Sequence, residues 1–390
     1  MKNLFRHTAS IPMLLTTLLA VTSCRTDDEY AIPSQRVPAH LGDHSFYLLN
    51  EGAWGSNKST LDYYDATTST YIRNIYAEAN PGIAHELGDV GNDLKIYDDK
   101  LWAVINNSHL IEVMDASTAK HITQISIPNC RYITFVGHHA YVTSYAGPAG
   151  IDPNAQLGYV ARIDTRSMVI TDTCLVGYQP DDMALCANHL YVANSGGYRY
   201  PDYDNTISVI DLETFTVTDT IEVAFNLARF EVDSQGYLWA SARGDYYGRG
   251  SKTYVIDPRT NTVCDSLDVP NTGMALAGDS LYIYSAEWNY TTNASTNTYY
   301  LVNTRTRQVV TNHFINDGTE LQIRSPYGIA VNPDTRDIYI ADAADYINPG
   351  LLYCYGADGI KKGEVRTGDI PAHFAFTQPR TSNTNIRLSE

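Results

Sequence analysis

The stretch "DMALCANHLYVANSGGYRYPDYDNTISVIDLETFTVTDTIEV", Asp182 to Val223, decides the fold. Two short apolar runs meet at the polar turn "CANH" and form a hairpin by alternation and turn chemistry. A long loop with three tyrosines follows, and then "ISVID" and "TVTDTIEV" make a second hairpin about a turn carrying Asp and Thr. The first half of this form recurs in "DLKIYDDKLWAVI", "YITFVGHHAYVTS", "FEVDSQGYLWASA", "MALAGDSLYIYSA" and "GIAVNPDTRDIYIAD", at a period of roughly 45 residues. Four strands per unit at that spacing predict an all-β, seven-bladed β-propeller with four antiparallel strands per blade. The count is six full repeats and two partial ones. "SFYLLNEGAWGSNKSTLDYYDATTSTYIRNI" supplies three strands, and the C-terminal "IPAHFAF" supplies one innermost strand. Pairing Ile370–Phe376 with Ser45–Asn50 completes the seventh blade and removes the open sheet edges.

The formal net charge of −17 argues against a nucleic-acid partner, which calls for a basic face. Tyrosine is in excess, 30 against 9 Phe, and fits a surface that needs flat faces with hydrogen-bonding tips. At the N-terminus Lys2 and Arg6 precede "IPMLLTTLLAV" and "VTSC", the order of a secretory signal and too short for a spanning helix. The Cys closing a small-residue cleavage site resembles the lipobox of bacterial lipoproteins, which implies lipidation at Cys24. The acidic "RTDDEY" after it resembles the surface-export signal of lipoproteins from gut-dwelling Gram-negative anaerobes. The expected organisation is a signal peptide over 1–23, an anchored linker over 24–43, the propeller over 44–376 and a tail over 377–390. Cys130, Cys174, Cys186, Cys264 and Cys354 show no CxxC spacing and no zinc framework.

With strands lettered A to D from the axis outward, the B-to-C loops and D-to-A connections share one face of the disc. The A-to-B and C-to-D turns share the other, and these are short and bland. The B-to-C loops are long in every blade except the second, and aromatic: "NEGAWGSNKS", "SYAGPAGIDPNAQLG", "NSGGYRYPDYDN", "ARGDYYGRGS", "AEWNYTTNASTN" and "DAADYINPG". The expected binding residues are therefore Trp54, Tyr145, Tyr198, Tyr200, Arg243, Tyr246, Tyr247, Trp288, Tyr290 and Tyr346 from these loops. Arg131, Tyr132, Tyr178, Arg229 and Tyr327 join them from the D-to-A connections, with Asp181, Asp182 and His373 nearer the axis. Seven blades contributing to one concave surface make a wide aromatic, hydrogen-bonding site.

No catalytic or metal site is expected. "GDSL" at Gly278–Leu281 falls on an A-to-B turn, without the strand-to-helix elbow a nucleophilic serine needs. His85 and Glu86 lack a second histidine at metalloprotease spacing. Asp202, Asp204 and Asn205 lack the glycine and terminal glutamate of a calcium loop.

"LLNEGAWGSNKSTLDYYD" resembles the opening of YncE-like and surface-layer-type propellers, through Asn50, Glu51, Gly52, Asn57, Ser59, Leu61, Tyr64 and Asp65. Lys58 stands where asparagine is frequent. Taken with the lipobox, the acidic cluster and the tyrosine-rich face, the chain looks most like the BtuG-type surface lipoproteins. That resemblance implies capture of cobalamin or a related corrinoid as ligand, with no resident cofactor. It further implies an outer-membrane location and transfer to a BtuB-type TonB-dependent transporter. A glycan would also stack on such a face. A lyase-type propeller enzyme is the third reading, and would draw on His373 with Asp181 or Asp182.

Overall fold

The structure is a computed structural model, and it describes residues 45–377 except 84, 85 and 287. Cys24, the 1–23 leader, the 24–43 linker and all but the first residue of the 377–390 tail lie outside the described residues. The strands form seven four-stranded antiparallel sheets, ordered inner to outer along the chain in all but the blade that joins the two ends. The inner strands are Gly91–Tyr97, Cys130–Val136, Pro180–Cys186, Leu227–Val232, Gly273–Ala277 and Pro326–Val331 in blades 2 to 7, and Pro371–Phe376 in blade 1. Blade 1 joins both ends of the domain, pairing Phe46 with Phe376, Leu48 with Phe374 and Asn50 with Pro371. The expected closure is thus present, one residue shorter at each start. Among the described residues no helix is long and apolar enough to cross a membrane.

Five of the seven C-to-D turns share one chemical device. Asp65, Asp164 and Asp211 each accept backbone N–H groups two and three residues on, and Asp115 and Asp257 accept the one two residues on. The residue four positions after each of them is left-handed: Ser69, Met168, Phe215, Ala119 and Asn261. A short side-chain acceptor that satisfies the turn's own donors offsets that strain.

Neighbouring blades pack face to face over apolar clusters holding Trp102 and Trp239, both fully buried. Much of the tyrosine excess is spent here, which corrects its reading as mainly a surface composition. Tyr47, Tyr63, Tyr76, Tyr191, Tyr353 and Tyr355 are fully buried. Three of the hydroxyls reach across to the next blade: Tyr47 donates to the Ala116 carbonyl at 2.9 Å, Tyr76 to Glu112 at 3.3 Å and Tyr191 to Asn261 Oδ1 at 2.6 Å. A large ring with a polar tip fills the wedge between blades and still satisfies its own donor.

Candidate functional site

The site is built from an irregularity repeated around the ring. In six of the seven blades the inner strand carries one residue more than its neighbour at the same height, between Gly91 and Asp93, Cys130 and Ile133, Pro180 and Met183, Leu227 and Phe230, Pro326 and Gly328, and beside Pro371. Such bulges re-aim side chains. The residues they hold are Asn92, Arg131, Tyr132, Asp181, Asp182, Arg229 and Tyr327, at the end of the channel where the long loops gather. The N–H groups the slips release are captured. Tyr132 N–H donates to Thr143 Oγ1 at 3.0 Å and Arg229 N–H to Ser241 Oγ at 2.9 Å. Ile133 N–H donates to Asp93 and Phe230 N–H to Asp182, each at 3.0 Å and each on the inner strand of the preceding blade or its bulge. Blade 6 reaches the channel differently. An added Cβ on Gly273 would lie 2.5 Å from the Tyr284 ring, so the missing side chain lets Tyr284 turn over the strand.

The result is a funnel. A mouth cavity of about 440 Å³ is lined by Glu51, Trp54, Arg131, Tyr132, Tyr198, Arg229, Arg243, Tyr284 and Tyr327 among others. Through Tyr132, Arg229, Tyr284 and Tyr327 it continues into a channel cavity of about 370 Å³ that also touches Asp93, Lys95, Asp182, Glu231 and His373.

Asp181 organises the mouth. It is fully buried, with Arg131 Nε 3.1 Å from Oδ1, Arg243 Nη1 3.2 Å from Oδ2, and the Tyr145 hydroxyl donating to Oδ1 at 2.7 Å. Burial pushes its carboxyl up, but the two guanidiniums and the hydroxyl outweigh this and hold it below the usual carboxylate range. The "NEG" motif does two jobs. Glu51 N–H and Gly52 N–H donate to the Ile370 and Asp369 carbonyls, tying the loop to the closing strand. The Glu51 carboxylate then faces His373 Nε2 at 2.9 Å and accepts from the Tyr327 hydroxyl at 2.9 Å. Burial, ahead of the opposing pull of Glu51, keeps the His373 imidazole below its ordinary pKa and therefore neutral at pH 7. Gly52 has φ +74° and sits where a Cβ would strike the Lys58 carbonyl carbon at 2.7 Å. Trp54 projects from this loop, whose Gly55 N–H donates to Asp89 at 2.9 Å.

Of the fifteen binding residues expected from the sequence, the mouth collects Trp54, Arg131, Tyr132, Tyr198, Arg229, Arg243 and Tyr327. Tyr145 stands behind them, edge-on to Tyr198 at 6.3 Å, and Tyr346 is edge-on to Tyr327 at 5.7 Å. The remaining tyrosines form a separate feature. Tyr200 lies 5.7 Å from Tyr247, which stacks on Tyr290 at 5.2 Å, an exposed staircase across blades 4, 5 and 6. Tyr246 supports it by accepting the Tyr290 N–H, and Trp288 is exposed on a small hairpin pairing Trp288–Asn289 with Ala294–Ser295. Tyr178 is covered by the Arg199 guanidinium 3.7 Å from its centroid. The sequence reading missed Glu51 and Tyr284 as lining residues. Gly273 opposite Tyr284 was the available signal.

His373 is paired with Glu51, rather than with Asp181 or Asp182. Asp181 is occupied by Arg131, Arg243 and Tyr145, and Asp182 accepts the Met183 and Phe230 N–H groups. Among the described residues no group of His, Cys, Asp and Glu is arranged to hold a metal. Asp204 is spent on the N–H groups of Tyr178, Asn205 and Thr206. Ser280 of "GDSL" begins the strand Ser280–Ser285 directly after the turn, as its position in the repeat predicts. The five described cysteines are free thiols, and Cys264 is exposed.

Glu231 carries a pH signature. Burial first, and Asp182 second, push its carboxyl from 4.5 up to about 7, against the pull of Lys95. A group whose acid form is favoured in the fold stabilises most below the unfolded value. That contribution is lost as pH rises towards the folded value. Glu231→Gln should therefore stabilise the fold at pH 8 by of the order of 1 kcal/mol after solvent screening, seen as a higher melting temperature, and leave it unchanged at pH 4. Thermal melts at the two pH values check this, and an equal effect at both would contradict it.

The fold and site define a seven-bladed propeller with a polar funnel at the long-loop end of its channel. Residues 44–367 match a family described as "Domain of unknown function (DUF5074)", and the chain belongs to that family. No curated protein matches the sequence. Among solved structures, a functionally unknown protein from Desulfotomaculum acetoxidans DSM 771 superposes with TM-score 0.59 at 10% identity, over 86% of this chain and 99% of that one. A quinonprotein alcohol dehydrogenase-like protein from Bacteroides thetaiotaomicron VPI-5482 gives TM-score 0.58 at 14% identity, over 87% and 79%. Kuenenia stuttgartiensis hydrazine synthase gives 0.53 at 17%, over 69% and 77%. At these identities the likeness is one of fold.

Proposed function

We propose that this chain is a cell-surface lipoprotein, anchored through Cys24, that captures cobalamin or a related corrinoid without chemistry. It then passes the ligand to a BtuB-type TonB-dependent outer-membrane transporter. The observation that carries this reading is the one-sided funnel: aromatic faces, arginines and amides converge at the long-loop end of the channel. A corrinoid is a broad conjugated macrocycle fringed with amides and carrying a phosphate-linked nucleotide loop. Tyr and Trp faces give it flat contact at low entropic cost, and Asn and Arg pair with its fringe. The macrocycle is too broad for the 440 Å³ mouth and would lie across it towards the Tyr200–Tyr247–Tyr290 staircase. The "NEG" opening resembles that of YncE-like and surface-layer-type propellers, and with the "VTSC" leader, the acidic cluster and the tyrosine-rich face the chain looks most like the BtuG-type lipoproteins, which supports the ligand class and the location.

Calorimetry of the soluble domain against cyanocobalamin and cobinamide tests the reading. The double change Tyr247→Ala plus Trp288→Ala should weaken cobalamin binding at least tenfold, about 1.4 kcal/mol, with the fold unchanged. No heat and no spectral change with any corrinoid at high micromolar concentration would sink it. One feature favours a glycan as the second reading: the exposed Tyr247–Tyr290 stack stands clear of the charged mouth, as a sugar platform does. A glycan panel run beside the corrinoids separates the two.

A further inference from the structure

Arg229 stands at the constriction, lining both the mouth and the channel below it. Among the described residues its guanidinium makes no hydrogen bond or ion pair. It lies over the Tyr132 ring, 4.5 Å from the centroid, and feels Asp182 only through space. A half-buried cation without a partner is costly to keep. Arg131 and Arg243 line the same mouth and share a single counter-ion, Asp181. Three guanidiniums against the carboxylates of Asp181 and Glu51 leave one positive charge, in a protein whose formal net charge is −17. Below Arg229 the sign reverses, because Asp93, Asp182 and Glu231 line the channel there with Lys95. An anion is drawn in as far as Arg229 and stopped there.

We infer that the channel mouth is a binding site for a singly charged oxyanion of the phosphodiester class, seated on Arg229 between Arg131 and Arg243, with its substituents against Trp54, Tyr132 and Tyr198. One excess charge matches a diester, and the second charge of a monoester would point at Asp182. Guanidinium forks suit the two free oxygens, and the aromatic faces suit flat substituents. This rests on the mouth being the binding site, as the proposed function does, but not on the ligand being a corrinoid.

The probe is diphenyl phosphate, titrated by calorimetry into the domain at pH 7.5, with phenyl phosphate, inorganic phosphate and diphenylacetate as comparators. Diphenyl phosphate should bind one to one and more tightly than all three. Arg229→Gln should weaken it at least about tenfold, Arg229→Lys less, and Arg259→Gln, an exposed arginine on a C-to-D turn of the opposite face, should leave it unchanged. The Gln variant keeps the backbone hydrogen bond from position 229 to Ser241, and a near-ultraviolet circular dichroism spectrum like that of the wild type separates lost binding from lost fold. Tighter binding of phenyl phosphate, or of diphenylacetate, would overturn the charge or the class, and an Arg229→Gln variant that binds as well as wild type would overturn the site. Diphenyl phosphate binding without corrinoid binding would sink the corrinoid reading and leave this one standing. Corrinoid binding unaffected by Arg229→Gln, with no diphenyl phosphate binding, would do the reverse.

Discussion

A chain ending at Ile370 should lose cooperative folding, or melt lower by well over about 10 °C. Its missing strand, Pro371–Phe376, is the innermost of blade 1 and pairs with Phe46–Asn50. With it go Phe374 and Phe376, which lie 5.7 Å and 5.5 Å from the Phe46 ring and also pack on Tyr339 of blade 7. The clasp in which Ser45 and Thr377 exchange backbone and side-chain hydrogen bonds goes as well. Each aromatic contributes about 1.5–3 kcal/mol if fully buried, and each ladder bond roughly 1. The sum is comparable with the whole stability of an ordinary domain, about 5–15 kcal/mol. Calorimetric melting of the truncated and full chains reads the effect. A synthetic peptide covering 370–377 should restore part of it in trans, and an unchanged melting temperature in the truncated chain would mean the ring holds without its last strand.

Asp181→Ala should cost about 3–5 kcal/mol, the usual loss when one partner of a buried charge cluster is removed. The carboxylate is fully buried and is the shared counter-ion of Arg131 and Arg243, so the variant leaves two neighbouring cations facing one another. Its folded pKa lies below the unfolded value, so the stabilisation is complete above about pH 4 and is lost as pH falls through the folded value. The wild type should therefore show an acid limb that the variant partly lacks. Denaturant unfolding at pH 7 and pH 3 measures both. A variant as stable as wild type at pH 7 would show that water, rather than Asp181, satisfies the arginines.

The blades were legible because hairpins alternate and because Asp-led turns punctuate them, as at Asp164 and Asp211. Closure was legible from counting strands. The bulges were not, since one extra residue in Cys130–Val136 or Pro180–Cys186 leaves no periodic mark while moving Arg131 and Asp181 into the channel. Sequence also did not show that Tyr47 and Tyr191 are spent between blades, whereas Tyr198 and Tyr247 are spent on the face. The loops marked Tyr198 and Tyr247, but nothing in the strand runs holding Tyr47 and Tyr191 told a blade-to-blade wedge from the channel side, and only packing sorts those. The pairing of Glu51 with His373 joins positions 322 residues apart and depends on ring closure itself.

The ring of slipped inner strands has an evolutionary corollary. Each bulge returns to the common register within a residue or two, and its released N–H groups are held by neighbours such as Thr143, Ser241, Asp93 and Asp182. The side chain at the slip is therefore turned towards the channel rather than into the packing between neighbouring strands. Asn92, Arg131, Ala228 and Tyr327 already show how different the occupants can be at matching positions. Descendants of one such scaffold can exchange ligands by rewriting these few positions, provided that linked groups such as Asp181 with Arg131 and Arg243 change together.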